Sequence, residues 1–135
     1  MNILGIDYGA KRIGLAWVDT ALGVVLPFGV IGNQKSEIRN QKLIDLILKQ
    51  KIESIVIGLP LGLDGKENEN TKRVRAFAAE LKSHIDDKIE IEFMDERFTT
   101  HEAARAGGGV SVDERAAMLI LETYVEKMKL DNLEV

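Results

Sequence analysis

The chain of 135 residues contains no cysteine, only two histidines and two prolines, and aromatic residues account for just 5% of it. The absence of cysteine excludes disulfides, thiol nucleophiles and cysteine-ligated zinc. The histidines His84 and His101 are too few for a histidine-rich zinc site and leave few options for a Ser-His-Asp triad. A metal ion in this protein would therefore be held mainly by carboxylate oxygens, which favours Mg²⁺ or Mn²⁺.

Long hydrophobic runs and an excess of basic residues are missing as well. No apolar stretch approaches the roughly 20 residues that a membrane span requires. Residues 1–7 have neither the basic leader nor the cleavage site of a signal peptide, so we expect a cytoplasmic protein without a membrane partner. The net charge of −4, from 18 basic and 22 acidic side chains, argues mildly against a nucleic-acid binder with a broad basic surface.

The composition is otherwise that of a folded protein. Hydrophobic residues make up 45% and charged residues 30% of the chain, so we expect residues 1–135 to form a single domain. Residues 2–7, 12–19 and 24–31 predict three strands, and their short connections leave room only for an antiparallel meander. Pro27 cannot donate to a strand ladder, which favours an edge position for the third strand.

Helices and strands alternate in the rest of the chain. A helix is predicted over residues 37–50, with Ser36 as its N-cap. Its buried face should carry Ile44, Ile47 and Leu48. The order βββαβαβαα predicts an α/β protein with a ribonuclease H-like fold, in which helices cover both faces of a mixed five-stranded sheet. The remaining elements are a strand over 54–59, a helix around 74–81, a strand over 89–94, and two final helices capped by Thr99 and by Ser111 that end near residues 107 and 130.

Acidic residues recur at one edge of this predicted sheet. The first, fourth and fifth strands should run parallel, so their carboxyl ends share the edge where ligands usually bind. Asp7 ends the first strand, and Asp95 and Glu96 end the fifth. Asp113 lies in the first turn of the last helix and shares a face with Ala117, Ile120 and Tyr124, which should pack against the sheet. Converging carboxylates suit two-metal phosphodiester hydrolysis, in which two Mg²⁺ ions about 3.5–4 Å apart stabilise the attacking and leaving oxygens.

Each of these acids also has a purely structural explanation. Asp7 could open an Asx turn, and Asp113 could interact favourably with the dipole of its helix. Asp95 or Glu96 could be a strand-end charge paired with Arg97. In an ideal strand Asp95 and Glu96 face opposite sides, so only one of them should reach the metal.

Basic residues near the same edge are candidate contacts to nucleic acid. Two lie in the turn beside Asp7, two begin the helix after a glycine-rich loop, and one follows the fifth strand. Alternatively, these residues are ordinary solvated surface charges, and the one after the fifth strand, Arg97, neutralises Glu96. Only Tyr8 and Phe98 offer aromatic rings there, which argues against sequence-specific reading of single strands. The candidates are Lys11, Arg12, Lys72, Arg73 and Arg97.

The most specific motifs form four blocks spread in order over residues 3–126. They are Gly5-Ile6-Asp7-Tyr8-Gly9 with Lys11-Arg12-Ile13-Gly14, Gly58-Leu59-Pro60-Leu61 with Asp64-Gly65, Asp95-Glu96-Arg97-Phe98-Thr99-Thr100, and Val112-Asp113 with Ala116-Ala117 and Ile120-Leu121-Glu122. Together they resemble the YqgF family, also called RuvX, of pre-16S rRNA nucleases. The resemblance implies a RuvC-related fold, metal-dependent cleavage of nucleic acid and maturation of the 5′ end of 16S ribosomal RNA. The matching acids are Asp7, Glu96 (or Asp95 beside it) and Asp113.

The chain departs from this pattern at two places. Relatives in the wider RuvC superfamily carry an acid in the fourth strand, whereas residues 55–58 here contain none. The end of the fifth strand must then supply the missing ligand, or the site is weaker. Residues 106–111 are also shorter than the family's lysine-containing loop, so a basic flap over the substrate is missing. It stays open whether the short loop of Gly107, Gly108 and Gly109 leaves the site active.

The leading hypothesis is a Mg²⁺- or Mn²⁺-dependent endonuclease that acts on precursors of ribosomal RNA, with the ribosome or its precursors as a further partner. The first alternative is a Holliday junction resolvase acting on branched DNA, which needs a homodimer rather than a monomer to cut two strands. The second is a non-catalytic rRNA-binding assembly factor, whose binding would depend steeply on salt. A phosphotransferase is disfavoured because the similar Asp7-x-Gly9 motif of actin-like kinases occurs in much longer, two-lobed chains.

Overall fold

The computed structural model describes residues 1–98 and 109–133. None of the helices in these ranges is long and apolar enough to cross a membrane. The predicted helix over 99–107 lies outside the described residues. The elements are β1 (Asn2–Tyr8), β2 (Arg12–Asp19), β3 (Val25–Gly32), α1 (Ser36–Lys49), β4 (Ser54–Leu59), α2 (Glu69–Lys82), β5 (Glu90–Asp95), a 3₁₀ turn (Glu96–Phe98) and α3 (Val112–Leu133).

The five strands form one mixed sheet in the order β3-β2-β1-β4-β5. Strands β1, β2 and β3 pair antiparallel, as the short turns predict. Strand β4 runs parallel to β1, and β5 runs parallel to β4, so the carboxyl ends of all three meet at one edge. β3 lies at the edge of the sheet, where the missing donor of Pro27 costs least. The α/β, ribonuclease H-like architecture is confirmed.

Helices cover both faces of the sheet because strand side chains alternate between two apolar cores. Leu4 and Ile6 of β1 belong to the core formed with α1 and α2. Ile3 belongs to the opposite core, which contains Ala117 and Ile120 of α3. The inner face predicted for the last helix is therefore confirmed. Residues of β1 with odd numbers face α3, and this includes Asp7.

The start and the buried face of α1 differ from the prediction. The N-cap is Lys35, which makes no side-chain capping bond, and Ser36 is already helical. Leu48 is 71% exposed, whereas Arg39 is 4% exposed. Arg39 turns inward because Glu80 of α2 accepts from its Nη2 at 2.9 Å. Apolar periodicity alone could not reveal this polar contact between two helices.

The first turn of α3 carries the predicted capping box. The Glu114 N–H donates to Ser111 Oγ at 3.1 Å, and Glu114 Oε1 accepts from the Ser111 hydroxyl at 2.9 Å. Glu114 Oε2 also accepts from the Gly29 N–H of β3 at 2.9 Å. One side chain therefore begins α3 and attaches it to the edge strand.

Replacing this side chain should destabilise the protein measurably. We expect Glu114→Ala to lower the free energy of unfolding by about 1–2 kcal/mol, because both the cap and the bond to Gly29 are lost. Urea denaturation measures this change. Glu126→Ala, at an exposed position of the same helix, is the control and should change stability by less than about 0.5 kcal/mol. Equal effects of the two variants would contradict the anchoring role.

Candidate active site

Asp7 lies at the carboxyl end of β1, on the face covered by α3. The helix can lie this close because Gly5 has no side chain: a Cβ there would stand 3.1 Å from the Ala117 carbonyl oxygen. Asp7 pairs across the ladder with Gly14 of β2. The carboxylate is thus held in a partly buried position between the sheet and the start of α3.

Glu96 follows β5 directly and forms a side-chain hydrogen bond with Asp7. The Glu96 side chain lies against the neighbouring strand, β4. A Cβ on Gly58 of β4 would stand 2.4 Å from Glu96 Oε1. β4 carries no acid at this edge, and the Glu96 carboxylate from the end of β5 fills the space next to Gly58 where a β4 side chain would lie.

Asp113 begins α3 on the other side of Asp7. Its carbonyl oxygen lies so close to β2 that a Cβ on Gly14 would be 1.9 Å away. Its Oδ2 accepts from Arg12 Nε at 2.8 Å, in an ion pair whose side chains are 27% and 63% exposed. The negative charge of Asp113 nevertheless acts on Asp7 and raises its pKa. The structure thus brings Asp7 and Glu96 into contact and sets Asp113 beside them.

The contact between Asp7 and Glu96 requires a proton. Burial raises the pKa of Glu96 from its ordinary value of 4.5 to about 8, and the hydrogen bond with Asp7 and the charges of Asp7 and Asp95 add to the rise. Burial also raises the pKa of Asp7, while the bond from Glu96 lowers it in part. Because two carboxylates cannot form a hydrogen bond with each other without a proton, Asp7 and Glu96 share one proton in the metal-free protein.

This shared proton predicts an unusual pH dependence of stability. Between pH 4.5 and 8 the folded, metal-free protein retains a proton on Glu96 that the unfolded chain has released. Unfolding then releases a proton, so the stabilisation is complete below pH 4.5 and is lost as pH rises through about 8. Denaturation in EDTA should show the free energy of unfolding falling from pH 5 to pH 8, by on the order of 1 kcal/mol per unit at most.

A glutamine variant tests this assignment. Glu96→Gln should flatten the decline because the titrating group is gone, whereas Glu126→Gln at an exposed position should leave it unchanged. An identical slope in Glu96→Gln and the wild type would place the titration elsewhere.

Asp95 and Glu96 have different partners. Arg97 Nη2 and Nε both donate to Asp95 Oδ2, at 2.7 and 3.0 Å, and these bonds lower the pKa of Asp95. Arg97 also lies against the glycine-rich loop, where a Cβ on Gly65 would be 3.3 Å from its Nη1. The predicted pairing of Arg97 with a neighbouring acid thus involves Asp95, and Glu96 is the acid that reaches Asp7.

The other predicted basic contacts are spread around this edge. Lys11 is exposed in the turn between β1 and β2. Lys72 lies 3.5 Å from Glu69 on the exposed side of α2. Arg73, also exposed, donates to the neutral Asn70 side chain at 3.2 Å. Among the residues that the structure describes, Arg73 has no carboxylate partner, so its charge is available to an anion.

A cleft of about 550 Å³ opens next to Glu96. Its walls are the turn after β1, the segment before α1 and the first turn of α2. Within the segment before α1, Asn33 Nδ2 donates to the Gly9 carbonyl at 2.7 Å, and Asn33 Oδ1 accepts from Arg39 Nη1 at 2.7 Å. Sequence reasoning missed Asn33 and Arg39, since neither belongs to a motif of spaced acids or bases.

The donor set at this edge fits a hard divalent cation in its chemistry. Asp7 and Glu96 offer carboxylate oxygens held together by one proton, which a cation can replace. Asp113 is a further acid whose charge acts on Asp7, but its Oδ2 is bonded to Arg12. Over residues 1–98 and 109–133 no group of three or more His, Asp or Glu side chains is arranged to hold a metal ion. The pair Asp7 and Glu96 would thus be the first ligands.

The sequence is similar to one family of proteins over nearly its whole length. The family model RuvX, described as "Holliday junction resolvase", matches residues 1–127. A protein of Sulfurihydrogenibium sp. (strain YO3AOP1) is 39% identical and aligns over 97% of this chain and 94% of its own length. One of Maridesulfovibrio salexigens is 35% identical over 94% of this chain and 99% of its own. Both bear the name "Putative pre-16S rRNA nuclease".

Solved structures show the same fold at low sequence identity. T. thermophilus RuvC in complex with a Holliday junction substrate gives a TM-score of 0.62 at 10% identity and covers 96% of both chains. The Fowlpox virus resolvase in complex with Holliday junction DNA gives 0.58 at 9% identity, over 95% of this chain and 99% of its own. At these identities the likeness concerns the fold alone.

Proposed function

The chain belongs to the RuvX family, and on that premise we propose that it is a divalent-metal-dependent endonuclease that processes the 5′ end of pre-16S ribosomal RNA. It acts as one domain, residues 1–135, in the cytoplasm, where ribosome precursors supply the substrate. The observation that carries the proposal is the contact between Asp7 and Glu96 at the shared carboxyl end of two parallel strands.

In this proposal Asp7 and Glu96 would hold Mg²⁺ or Mn²⁺, and Asp113 would complete the acidic site. When bound, such a cation supplies Lewis-acid stabilisation of the charge that develops on the phosphoryl oxygens. Glu96 would hold the cation only as a carboxylate, so it would have to give up the proton that it shares with Asp7. Asp95 is held by Arg97 and keeps the end of β5 in place rather than binding the cation.

Basic side chains orient the phosphodiester backbone around these acids. Arg73 contacts a phosphate from the first turn of α2, and Lys11 does so from the turn beside Asp7. Arg12 is 63% exposed, so its ion pair with Asp113 is weak in water and a phosphate can replace Asp113 as its partner. Such contacts fix the register of the strand without reading its sequence.

The proposal is tested with an RNA that spans the 5′ end of 16S RNA and its precursor extension. Wild-type protein with Mn²⁺ should cut it to a defined end, and addition of EDTA should stop the reaction. The matched substrate is a four-way DNA junction of comparable length. Faster cutting of the junction, together with a dimer in solution, would favour the resolvase activity named for the family. Tight, salt-dependent binding of the RNA without cutting would indicate an assembly factor instead.

A further inference from the structure

The cleft beside Glu96 is large enough for more than a phosphate. Its volume of about 550 Å³ falls in the range of pockets that bind small molecules. Glu96 forms one wall and also contacts Asp7. A ligand in the cleft would therefore contact Glu96, which in turn contacts Asp7.

The walls of the cleft are fixed by hydrogen bonds in the absence of substrate. Asn33 joins the turn after β1 to α1 through Gly9 and Arg39. On the opposite wall, the fully buried Thr71 donates to the Pro60 carbonyl at 2.6 Å, which joins the loop after β4 to α2. A cavity held open in this way does not have to be formed by the ligand, which lowers the cost of binding.

The lining of the cleft suits a nucleotide. Tyr8 lines it, and the Tyr8 ring packs against Phe77 of α2 with ring centroids 4.6 Å apart. Aromatic rings stack on any base. Asn70 and Gln34 present amides at the rim, and Arg73 adds a positive charge for a phosphate. The cleft thus combines an aromatic ring, hydrogen-bonding groups and a cation in the lining of one cavity of about 550 Å³.

We propose that the cleft binds one unpaired nucleotide of the substrate, adjacent to the phosphodiester bond that faces Asp7 and Glu96. A base in a duplex is stacked and paired and cannot enter such a concave site without being pulled out of the helix. The enzyme therefore selects single-stranded over base-paired cutting positions. This inference rests on the proposed nuclease function and adds a structural preference that does not depend on base sequence.

The test compares binding of a labelled RNA strand with binding of the same strand annealed to its complement, in EDTA so that no cutting occurs. Wild-type protein should prefer the single strand by about tenfold or more in Kd. Tyr8→Leu keeps an apolar contact with Phe77 but removes the stacking ring, and it should lose most of the preference. Tyr8→Phe should retain it. Tyr124→Leu, at the chain's other tyrosine, is the matched control and should behave as wild type.

A measurement on wild-type protein tests the inference even if a variant fails to fold. The side-chain amide NMR signals of Asn33, Gln34 and Asn70 should shift when the single strand is added and stay in place when the duplex is added. Equal affinity for both forms, or amide shifts confined to other parts of the molecule, would overturn the inference.

Cleavage in Mn²⁺ separates this inference from the function it rests on. If wild-type protein cuts single strand and duplex at equal rates, the nuclease stands and the cleft has no such role. If it cuts neither form but the single strand still moves the cleft amides, the cleft binds a nucleotide in a protein that is not a nuclease.

Discussion

Asp7→Asn should reduce metal-dependent cleavage of the RNA by more than about 100-fold. Loss of a group that merely supports a metal ligand costs about 10–100-fold, and Asp7 is proposed to be a ligand itself. Asparagine keeps the size of the side chain and one oxygen but removes the charge that holds a divalent cation. The effect is measured as the single-turnover rate at saturating Mn²⁺, with folding checked by thermal unfolding.

The neighbouring acids at the end of β5 supply the matched control for this prediction. Glu96→Gln should lose activity to a similar degree as Asp7→Asn, because Glu96 contacts Asp7. Asp95→Asn should retain most of the activity, since Asp95 is bonded to Arg97. Retained activity in Glu96→Gln combined with loss in Asp95→Asn would reverse the assignment of the metal ligand.

Among the glycine-to-alanine substitutions, we expect Gly14→Ala to reduce activity and stability the most. The new Cβ would stand 1.9 Å from the Asp113 carbonyl oxygen, where distances below 3.0 Å essentially never occur. The start of α3 must then move by roughly 1 Å, a displacement that can cost about 100-fold in rate when it affects a reacting group. Overpacking of this kind also costs about 1–3 kcal/mol of unfolding free energy. Cleavage rate and urea denaturation measure the two effects.

Gly32→Ala provides the control on the edge strand of the same sheet. A Cβ on Gly32 meets nothing within 4 Å, so this variant should keep wild-type activity and stability. Wild-type cleavage by Gly14→Ala would show that the position of Asp113 relative to Asp7 does not matter for the reaction.

The edge where the acids meet was predictable from the sequence. Alternation of side chains and the lengths of the connections give parallel first, fourth and fifth strands, and parallel strands end at one edge. Asp7 and the acids after β5 had to lie near each other for that reason. The inner face of α3 followed from the spacing of Ala117, Ile120 and Tyr124 relative to Asp113.

The choice between Asp95 and Glu96 was not predictable in the same way. It depends on the 3₁₀ turn at Glu96–Phe98, in which Arg97 folds back onto Asp95. The importance of Gly14 and Gly58 was hidden as well, because it arises from the close approach of α3 and Glu96 to the sheet. The inward turn of Arg39 depends on Glu80, which lies on another helix. Contacts of this kind are tertiary and leave no periodic pattern.

Thermal unfolding of wild type and Asp7→Asn in EDTA and in Mn²⁺ tests, without any substrate, whether Asp7 and Glu96 hold a divalent cation. At 100 times its Kd the ion should stabilise wild type by about 2.7 kcal/mol, which raises Tm by several degrees. Asp7→Asn should not respond to Mn²⁺, and in EDTA it should melt above wild type because a buried carboxylate has been removed. An equal rise in Tm for both proteins, or none for either, would contradict a cation site at Asp7 and Glu96.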